Sequence, residues 1–384
     1  MKKAAITGVG ITKFGKSAKT QVEMFSEAAT DAMNDAGVAP NEIEAFYFGN
    51  ALGMLTEMQG HMAPLMASNL GLPNIPASRF ENACASGAVA FRHAYMAVSA
   101  GYYDIVLVGG SERVLTVPTA QSTEYFAYAS DYFYETNLGI SFPGHYALVA
   151  RAHMKKHGTT EEQLAHVAVK NHFHGARNPK AQFQKEIKVE DVLKSAKVAD
   201  PLKLYDCCPF SDGAAAAILV SEKVAKKHKD AVYITGSAQA SDYLSLTDRP
   251  DMTRLMAAEV AARDAYKQAK VEPKDVDVAE VHDCFTIAEI VALEGLGFYP
   301  PGKGGKSAQE GETYVGGRIP VNPSGGLKAK GHPIGATGVA QVVEITAQLR
   351  GKSHNQVKGA EIGLAHNVGG SGGTAIVHIL RGGK

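Results

Sequence analysis

Short β-branched runs alternate along this chain with longer alanine-rich stretches that have the apolar spacing of a helix. This alternation predicts parallel strands covered by helices, so we expect an α/β fold. The pattern occurs twice, and the second copy begins near Ala231. A strand at residues 2–9 corresponds to one at 231–237, and a strand at 42–49 corresponds to one at 276–282. The chain is therefore predicted to consist of two similar halves.

The most informative correspondence lies at two helix starts. The sequence NACASG at residues 82–87 precedes a helix that ends near Gly101, and HPIGATG at residues 332–338 precedes a helix that ends near Gly351. A strand and a glycine-rich turn follow each helix. Each half should thus place a reactive side chain at a helix N-terminus.

Residues 116–199 interrupt this rhythm. We therefore assign residues 1–115 and 200–230 to the first half, 116–199 to an inserted loop domain, and 231–384 to the second half. The aromatic cluster of the insertion is expected to form a small satellite core; it comprises Tyr125, Tyr128, Tyr132, Phe133 and Tyr134. Its scattered Lys and Arg residues are read either as a solvated face or as a rim that meets phosphate groups.

Composition narrows the possible functions. Hydrophobic residues make up 45% of the 384 residues and charged residues 20%, which is typical of a soluble globular protein. Lys plus Arg equals Asp plus Glu at 39 each, so no overall basic field is available to hold nucleic acid. No apolar run approaches the roughly 20 residues that cross a bilayer. The four cysteines have no CxxC spacing and are read as thiols in a cytoplasmic protein.

Cys84 is the candidate nucleophile. It stands just before an Ala- and Gly-rich helix, where backbone N–H groups and the helix dipole favour a thiolate. Its small neighbours leave space for an acyl group and for a backbone N–H directed at an oxyanion. A buried structural cysteine is the alternative.

Two histidines are candidates for a catalytic role beside Cys84. His332 lies in a loop dense in glycine and is a candidate base. His282, followed by Asp283, Cys284 and Phe285, comes directly after a predicted strand, where open α/β sheets place ligands. His282 and Cys284 could also bind a metal ion, but no CxxC or HxxxH pair accompanies them, so no metal site is expected.

These motifs resemble those of thiolases, in the same order and over essentially the full chain: the Cys84 turn, Gly331-His332-Pro333, and the closing His366-Asn367-Val368-Gly369-Gly370 turn. The His282-to-Phe285 motif resembles the sterol-carrier-protein type and archaeal acetoacetyl-CoA thiolases. The resemblance implies two βαβαβαββ halves packed in five α-β-α-β-α layers.

The chain departs from most thiolases in its closing turn. His366 occupies the position of a second catalytic cysteine, and Val368 replaces a glycine. The resemblance therefore implies that Cys284 performs that acid/base work, which a thiol beside His282 permits. It also places Phe285, Cys208 and the turn from His366 to Gly370 along the site.

The family implies an acetyl-CoA C-acetyltransferase that interconverts two acetyl-CoA with acetoacetyl-CoA and CoA through an acyl-Cys84 intermediate, with no tightly bound cofactor and a possible role in the mevalonate pathway. It also implies a homodimer or homotetramer, with glycine-rich edges such as residues 108–111 meeting across a symmetry axis. A complex with hydroxymethylglutaryl-CoA synthase and a zinc-ribbon OB-fold protein is a further implication. No nucleic acid or membrane partner is expected.

Several alternatives stay open. They are a degradative thiolase for longer chains, a ketoacyl synthase, a hydroxymethylglutaryl-CoA synthase, and a catalytically silent scaffold subunit. Cys284 argues against a decarboxylating synthase, which needs no proton-transfer thiol. A dehydrogenase is disfavoured, because Lys13 stands where the dinucleotide fingerprint after Gly8 and Gly10 requires its third glycine.

Overall fold

The computed structural model describes residues 3–72 and 74–383, and the start of the predicted first strand at Lys2 lies outside them. The strands are β1 (Ala4–Ile11), β2 (Ala45–Gly49), β3 (Ala77–Phe80), β4 (Ile105–Glu112), β5 (Lys197–Ala199), β6 (Leu202–Lys203), β7 (Gly213–Ser221), β8 (Val232–Ser241), β9 (Val278–Glu280), β10 (Ile362–Gly369) and β11 (Thr374–Gly382). The α-helices are α1 (Gln21–Ala36), α2 (Gly53–Thr56), α3 (Met62–Asn69), α4 (Ser86–Ala100), α5 (Thr119–Ala127), α6 (Phe142–His157), α7 (Glu161–Gly175), α8 (Val189–Lys194), α9 (Glu222–Ala225), α10 (Met256–Ala269), α11 (Thr286–Gly295), α12 (Gly304–Gln309) and α13 (Ile334–Leu349).

Nine strands form one mixed sheet in the order β3-β2-β4-β7-β1-β8-β11-β10-β9. The first five belong to the N-terminal half and the last four to the C-terminal half. The halves join where Ala4 of β1 pairs with Ile234 of β8. The third strand of the C-terminal half is reduced to a single bridge between Ala279 and Val321. The predicted repeat is thus present, with one strand shortened.

The helices complete five layers. Helices α1 and α3 cover the outer face of the N-terminal strands, and α10 and α11 cover that of the C-terminal strands. Helices α4 and α13 pack against each other between the two groups of strands. The thiolase-type α/β fold expected from the sequence is therefore confirmed.

The two central helices meet backbone to backbone. A Cβ atom on Gly87 of α4 would lie 2.6 Å from the carbonyl oxygen of Gly335, and one on Gly338 would lie 2.3 Å from the nitrogen of Ala88. Neither position can hold a larger residue without a shift of backbone. This contact, the glycine seam, brings the starts of α4 and α13 together.

The segment between β4 and β7 packs against the C-terminal half. Helix α7 contacts α11, α12 and a π-helical turn at Gly326–Lys330. Lys170 and Glu289 form an ion pair with 2.6 Å between Nζ and Oε1, and both side chains are fully buried. Residues of this segment consequently reach the interior of the molecule.

The predicted satellite core of aromatic residues is wrong. Phe133 and Tyr134 are each 76% exposed and Tyr132 is 48% exposed, because they lie on turns between α5 and α6. The apolar core of this segment instead forms where α6 and α7 pack on α11, around Phe142 and Tyr146.

The glycine-rich residues 108–111 do not form a sheet edge. They lie in β4, which is hydrogen-bonded to β2 on one side and to β7 on the other. Strand β3 is the terminal strand on that side of the sheet. Within residues 3–72 and 74–383, no helix has both the length and the apolar character to span a membrane.

Candidate active site

Cys84 lies at the tip of a constrained turn between β3 and α4. Ala83 before it has a φ of +48°, a left-handed conformation that non-glycine residues rarely adopt. The Ser86 hydroxyl group holds this conformation, because its Oγ accepts a hydrogen bond from the nitrogen of Asn82 at 2.9 Å and donates to the carbonyl oxygen of Ala83 at 2.6 Å. The turn thereby fixes the direction of the Cys84 side chain.

The Cys84 thiol is buried, with 6% exposure. Burial raises its pKa, and backbone N–H groups of Gly370 and of Cys84 itself oppose that rise. The expectation that the helix start would favour a thiolate is therefore wrong for the resting state, since desolvation outweighs the local dipoles. Nucleophilic attack requires a base that takes the thiol proton.

His332 has the geometry of such a base. Its Nδ1 lies 2.7 Å from Oγ1 of Thr337, and that hydroxyl group donates to the carbonyl oxygen of Pro333 at 3.0 Å. Oγ1 must therefore accept from His332, which puts the proton on Nδ1 and leaves the lone pair on Nε2. Burial lowers the pKa of His332 to about 3, so the ring is neutral at rest.

His282 has the opposite tautomer. Its Nδ1 accepts a hydrogen bond from Nδ2 of Asn367 at 2.9 Å, so its proton lies on Nε2. Burial lowers the pKa of His282 well below its usual range. The neutral ring is thus a hydrogen-bond donor toward the site, whereas His332 is an acceptor.

The three side chains converge from both halves of the molecule. One sulfur or ring-nitrogen atom from each of Cys84, His282 and His332 lies within 4.8 Å of the other two. The two rings are 5.1 Å apart at an interplanar angle of 84°. A nucleophile, an acceptor and a donor therefore surround one small volume.

Cys284 lies in the same buried region with 6% exposure. Tyr146 of α6 packs beside it, with its ring stacked on Phe285 at 4.6 Å. Burial raises the pKa of the Cys284 thiol, while hydrogen bonding to the Tyr146 hydroxyl group lowers it. The second thiol thus has a phenol as a polar partner, and Phe285, which directly precedes α11, packs against the ring of that phenol.

The closing turn lies against the Cys84 turn. A Cβ atom on Gly369 would lie 2.7 Å from the carbonyl oxygen of Asn82, and Gly370 has a φ of +61°. His366 is fully buried in β10, and its Nδ1 accepts from the nitrogen of His282 at 3.5 Å. Val368 is buried in a separate apolar cluster with Leu255. His366 therefore supports the backbone of His282.

Cys208 supports the loop that carries the second thiol. Its nitrogen donates to the carbonyl oxygen of Cys284 at 2.9 Å, and burial raises the pKa of its own thiol well above the usual range. The structure thus brings all ten predicted site residues into one region, with Val368 turned into its own apolar cluster.

A buried polar network anchors the loop that carries His282 and Cys284. Asp283 Oδ1 accepts from the nitrogen of Leu327 at 2.7 Å, and its Oδ2 accepts from Nδ2 of Asn171 at 2.7 Å. Asn171 also donates to Glu289, the partner of Lys170. The segment between β4 and β7 therefore holds the loop in place.

Two cavities border the site. One of about 210 Å³ reaches Cys84 and is lined mainly by apolar residues, including Leu52, Leu55, Tyr125 and Phe126. A narrow cavity of about 10 Å³ lies between Tyr146 and His282. The first leaves room for an acyl group on the sulfur.

Three residues of the site were missed by the sequence analysis. Thr337 and Asn367 stand within the quoted motifs, but their roles depend on which histidine nitrogen they meet in space. Tyr146 has no sequence signal at all, because it lies in the segment between β4 and β7, 138 positions before Cys284.

Family models match most of the chain. Residues 4–223 match the thiolase N-terminal domain, and residues 238–382 match the thiolase C-terminal domain-like model. The chain is 50% identical over 383 residues to a protein of Methanothermobacter thermautotrophicus named acetyl-CoA acetyltransferase, with 99% of this chain and 100% of the relative covered. It is 36% identical over 393 residues to sterol carrier protein 2 of Bos taurus, covering 98% of this chain and 72% of the relative.

Solved structures of thiolase-related proteins also superimpose on the chain. The Ltp2-ChsH2(DUF35) aldolase superimposes with a TM-score of 0.86 at 28% identity, covering 99% of this chain and 98% of that one. Human mitochondrial 3-ketoacyl-CoA thiolase in complex with CoA superimposes with a TM-score of 0.76 at 18% identity, covering 100% and 98%, which shows a shared fold. The chain belongs to the thiolase family of acyltransferases.

Proposed function

We propose that this protein is an acetyl-CoA C-acetyltransferase that condenses two acetyl-CoA into acetoacetyl-CoA and CoA, or runs the reverse thiolysis. The observation that carries the proposal is the convergence of Cys84, His332 and His282 within 4.8 Å, with complementary tautomers on the two rings. The relative that is 50% identical, named acetyl-CoA acetyltransferase, supports the same reaction.

The first half-reaction forms an acetyl-enzyme. Nε2 of His332 takes the Cys84 proton as the sulfur attacks the thioester carbonyl carbon. Backbone N–H groups of Cys84 and the Val368-to-Gly370 turn stabilise the oxyanion. The tetrahedral intermediate expels CoA as a thiolate, which takes its proton from Cys284 only after the carbon–sulfur bond has broken, so the rate of acylation does not depend on this proton. The site then holds acetyl-Cys84, an imidazolium at His332 and a thiolate at Cys284.

The second half-reaction forms the carbon–carbon bond. The Cys284 thiolate removes an α-proton from a second acetyl-CoA, and the imidazolium of His332 and a water molecule held by His282 stabilise the enolate oxygen. The enolate carbon attacks the acetyl carbonyl carbon on Cys84. Collapse releases acetoacetyl-CoA, and the Cys84 sulfur recovers its proton from His332. Every group returns to its starting state.

One observation favours a second candidate, a thiolase for longer acyl chains. The cavity beside Cys84, at about 210 Å³, corresponds to on the order of seven water molecules by volume and is lined by apolar side chains. An acetyl group would leave most of it unfilled. A higher kcat/KM for a medium-chain 3-oxoacyl-CoA than for acetoacetyl-CoA in thiolysis would favour this alternative.

The resemblance to the family also supports proposals for the location, oligomeric state and metabolic role of the protein. We propose that the protein acts in the cytoplasm as a homodimer or homotetramer and supplies acetoacetyl-CoA to the mevalonate pathway. We further propose a complex with hydroxymethylglutaryl-CoA synthase and a zinc-ribbon OB-fold protein. The Ltp2-ChsH2(DUF35) aldolase structure, whose title names a second component, supports the presence of a partner protein.

Mass spectrometry of the intact protein after brief mixing with acetyl-CoA tests the reaction. We expect an acetyl adduct on Cys84, with acetoacetyl-CoA in solution. Cys84→Ala should lose the adduct, whereas Cys207→Ala should keep it, because the Cys207 sulfur donates to the carbonyl oxygen of Lys203 outside the cluster. An undiminished adduct in Cys84→Ala would refute the nucleophile assignment.

The same experiment separates the alternatives. An adduct without carbon–carbon chemistry would indicate another acyl acceptor. The absence of an adduct with every acyl-CoA tested would favour the silent scaffold subunit.

A further inference from the structure

The buried cluster of Cys84, His282 and His332 also has the composition of a metal site. One possible ligand atom from each residue lies within 4.8 Å of the other two. A tetrahedral zinc site has Zn–S near 2.3 Å and Zn–N near 2.0–2.1 Å, so its ligand atoms are about 3.3–3.6 Å apart. Closing the cluster around an ion requires its ligand atoms to approach one another by roughly 1.5 Å or less.

His332 has the tautomer of a metal-binding histidine, because its Nδ1–H group donates to Thr337 and leaves Nε2 unprotonated. His282 reaches the same tautomer when the Asn367 amide turns over, so that Oδ1 of Asn367, which has no partner among the described residues, accepts from Nδ1–H. Metal-bound histidines usually have such a partner on the second ring nitrogen, which fixes the ring plane. The Nε2 atoms of both rings are buried, and neither has a hydrogen-bond partner within residues 3–72 and 74–383. These two unpartnered atoms are the second, independent indication of a ligand.

The three ligands come from segments distant in the sequence, near positions 84, 282 and 332. Sequence spacing therefore could not indicate the site, and the expectation of no metal ion rested on spacing alone. Among the described residues this is the group of three Cys, His, Asp or Glu side chains close enough to hold a metal ion. A cysteine with two imidazoles matches the preference of Zn²⁺ and similar thiophilic cations.

We propose that the unacylated enzyme binds one thiophilic divalent cation, such as Zn²⁺, through Cys84, His282 and His332, and that this binding excludes acylation. The Cys84 thiol loses its proton to the buffer, its sulfur becomes a metal ligand, and water from the adjoining cavity fills the fourth position. The ion is exchangeable and inhibitory. The inhibition rests on the proposed role of Cys84 as nucleophile, whereas the binding does not.

Cobalt provides the direct test, because tetrahedral Co²⁺ with a thiolate ligand has intense visible bands and a sulfur-to-metal charge-transfer band. We expect the metal-free protein to bind one equivalent of Co²⁺ with both features and to release it to excess Zn²⁺. Cys84→Ser should abolish the charge-transfer band. His282→Asn and His332→Asn should each weaken Co²⁺ binding at least tenfold.

Controls make the assignment specific. Cys207→Ser and His354→Asn, the latter at an exposed position, should leave Co²⁺ binding unchanged. Carboxamidomethylation of Cys84 with iodoacetamide should prevent the charge-transfer band. A weak octahedral spectrum, or a band that persists in Cys84→Ser, would overturn the proposal.

An acetylation assay distinguishes failure of the metal-site proposal from failure of the proposed function. The metal-free enzyme is assayed for acetylation of Cys84 with and without equimolar Zn²⁺. Acetylation that Zn²⁺ does not slow would overturn the inhibitory site and leave the thiolase reaction standing. Tetrahedral Co²⁺ binding by a protein that no acyl-CoA acylates would instead refute the proposed function.

Discussion

The hydroxyl group of Tyr146 lies 3.3 Å from the carbonyl oxygen of Gly370, so α6 touches the turn that closes the active site. The same hydroxyl group is a polar partner of Cys284. Tyr146 therefore connects the second thiol with the turn proposed to form the oxyanion hole.

Removal of that hydroxyl group should affect condensation rather than acylation. Tyr146→Phe removes the hydroxyl group that turns from the carbonyl oxygen of Gly370 to the Cys284 thiolate once this thiolate forms. The loss of that hydrogen bond, at about 1.5–3 kcal/mol, corresponds to a roughly 10- to 100-fold slower condensation. Acetylation of Cys84 should change less than about threefold. Rapid-quench measurements of both steps test this, with Tyr266→Phe as control, since the buried Tyr266 hydroxyl group donates to Leu296 away from the site. Equal losses in the two steps would contradict the assignment.

Cys284→Ser should leave the acetyl adduct on Cys84 intact and stop condensation. A serine hydroxyl group is a far weaker acid than a thiol and cannot exchange the α-proton near neutral pH. Acetoacetyl-CoA formation is the readout. If Cys284→Ser condensed normally while His366→Ala did not, proton transfer would belong to His366.

Thr337→Val should slow acylation about 10- to 100-fold, because the Nδ1–H group of His332 would lose its acceptor and the required tautomer would no longer be favoured. The rate constant for acetyl transfer to Cys84 is the measurement. Thr346→Val is the matched control, since this buried threonine lies on the same helix and its hydroxyl group has no hydrogen-bond partner in the described part of the chain. The prediction fails if both variants acylate at the same rate.

Lowering the pH should destabilise the folded protein over a defined pH range. Burial lowers the pKa of His332, His366 and His378 to about 3, so the unfolded chain takes up their protons below about pH 6.5 while the folded protein does not. Stability present above pH 6.5 is lost as the pH falls toward 3. For each of these histidines, the free energy of unfolding should fall by about 2 kcal/mol between pH 7 and pH 5.

Urea unfolding at the two pH values measures this loss. His378→Gln should reduce the difference by about 2 kcal/mol, because one proton-linked group is removed. The same substitution at exposed His354 serves as the control. An unchanged difference in His378→Gln would contradict the prediction.

The buried pair of Lys170 and Glu289 should be costly to break. Lys170→Met leaves a buried carboxylate without its partner and should lower the unfolding free energy by roughly 3–5 kcal/mol. Lys170→Met/Glu289→Leu should recover part of that loss. Lys19→Met is the control, because Lys19 pairs with Glu27 at the surface, where such pairs contribute about 0–1 kcal/mol. Denaturant unfolding of all three proteins checks the order.

The sequence alone predicted those site residues whose position depends on the helix or strand next to them in the chain. Cys84 and His332 stand before helices, so the repeat placed them at the starts of α4 and α13. His282 follows a strand, and that too is a local pattern. The tautomers of the two histidines depend on Thr337 and Asn367, and the partner of Cys284 is Tyr146. These contacts are set by tertiary packing, which periodicity does not describe.

Burial also reversed two expectations. The helix start at Cys84 predicted a thiolate, but the thiol lies beneath side chains from both halves, and desolvation dominates its pKa. Phe133 and its tyrosine neighbours were expected to form a buried satellite core because they are close in sequence. Rings of this cluster do contact one another, as Tyr132 and Phe133 do at 5.6 Å between ring centroids, but they do so at the surface, since the apolar faces of α6 and α7 already fill the space against α11.

The glycine seam between α4 and α13 has a consequence for how the molecule can change over time. Gly87 and Gly338 belong to different halves, and neither can gain a methyl group without displacing main chain of the opposite half, at Gly335 and Ala88 respectively. Two copies of a repeat normally accumulate substitutions independently, but here a change in one copy has to be tolerated by the other. The distance between Cys84 and His332 is therefore set by contact between two main chains. Side-chain substitutions elsewhere in the site can change which substrate binds without changing that distance.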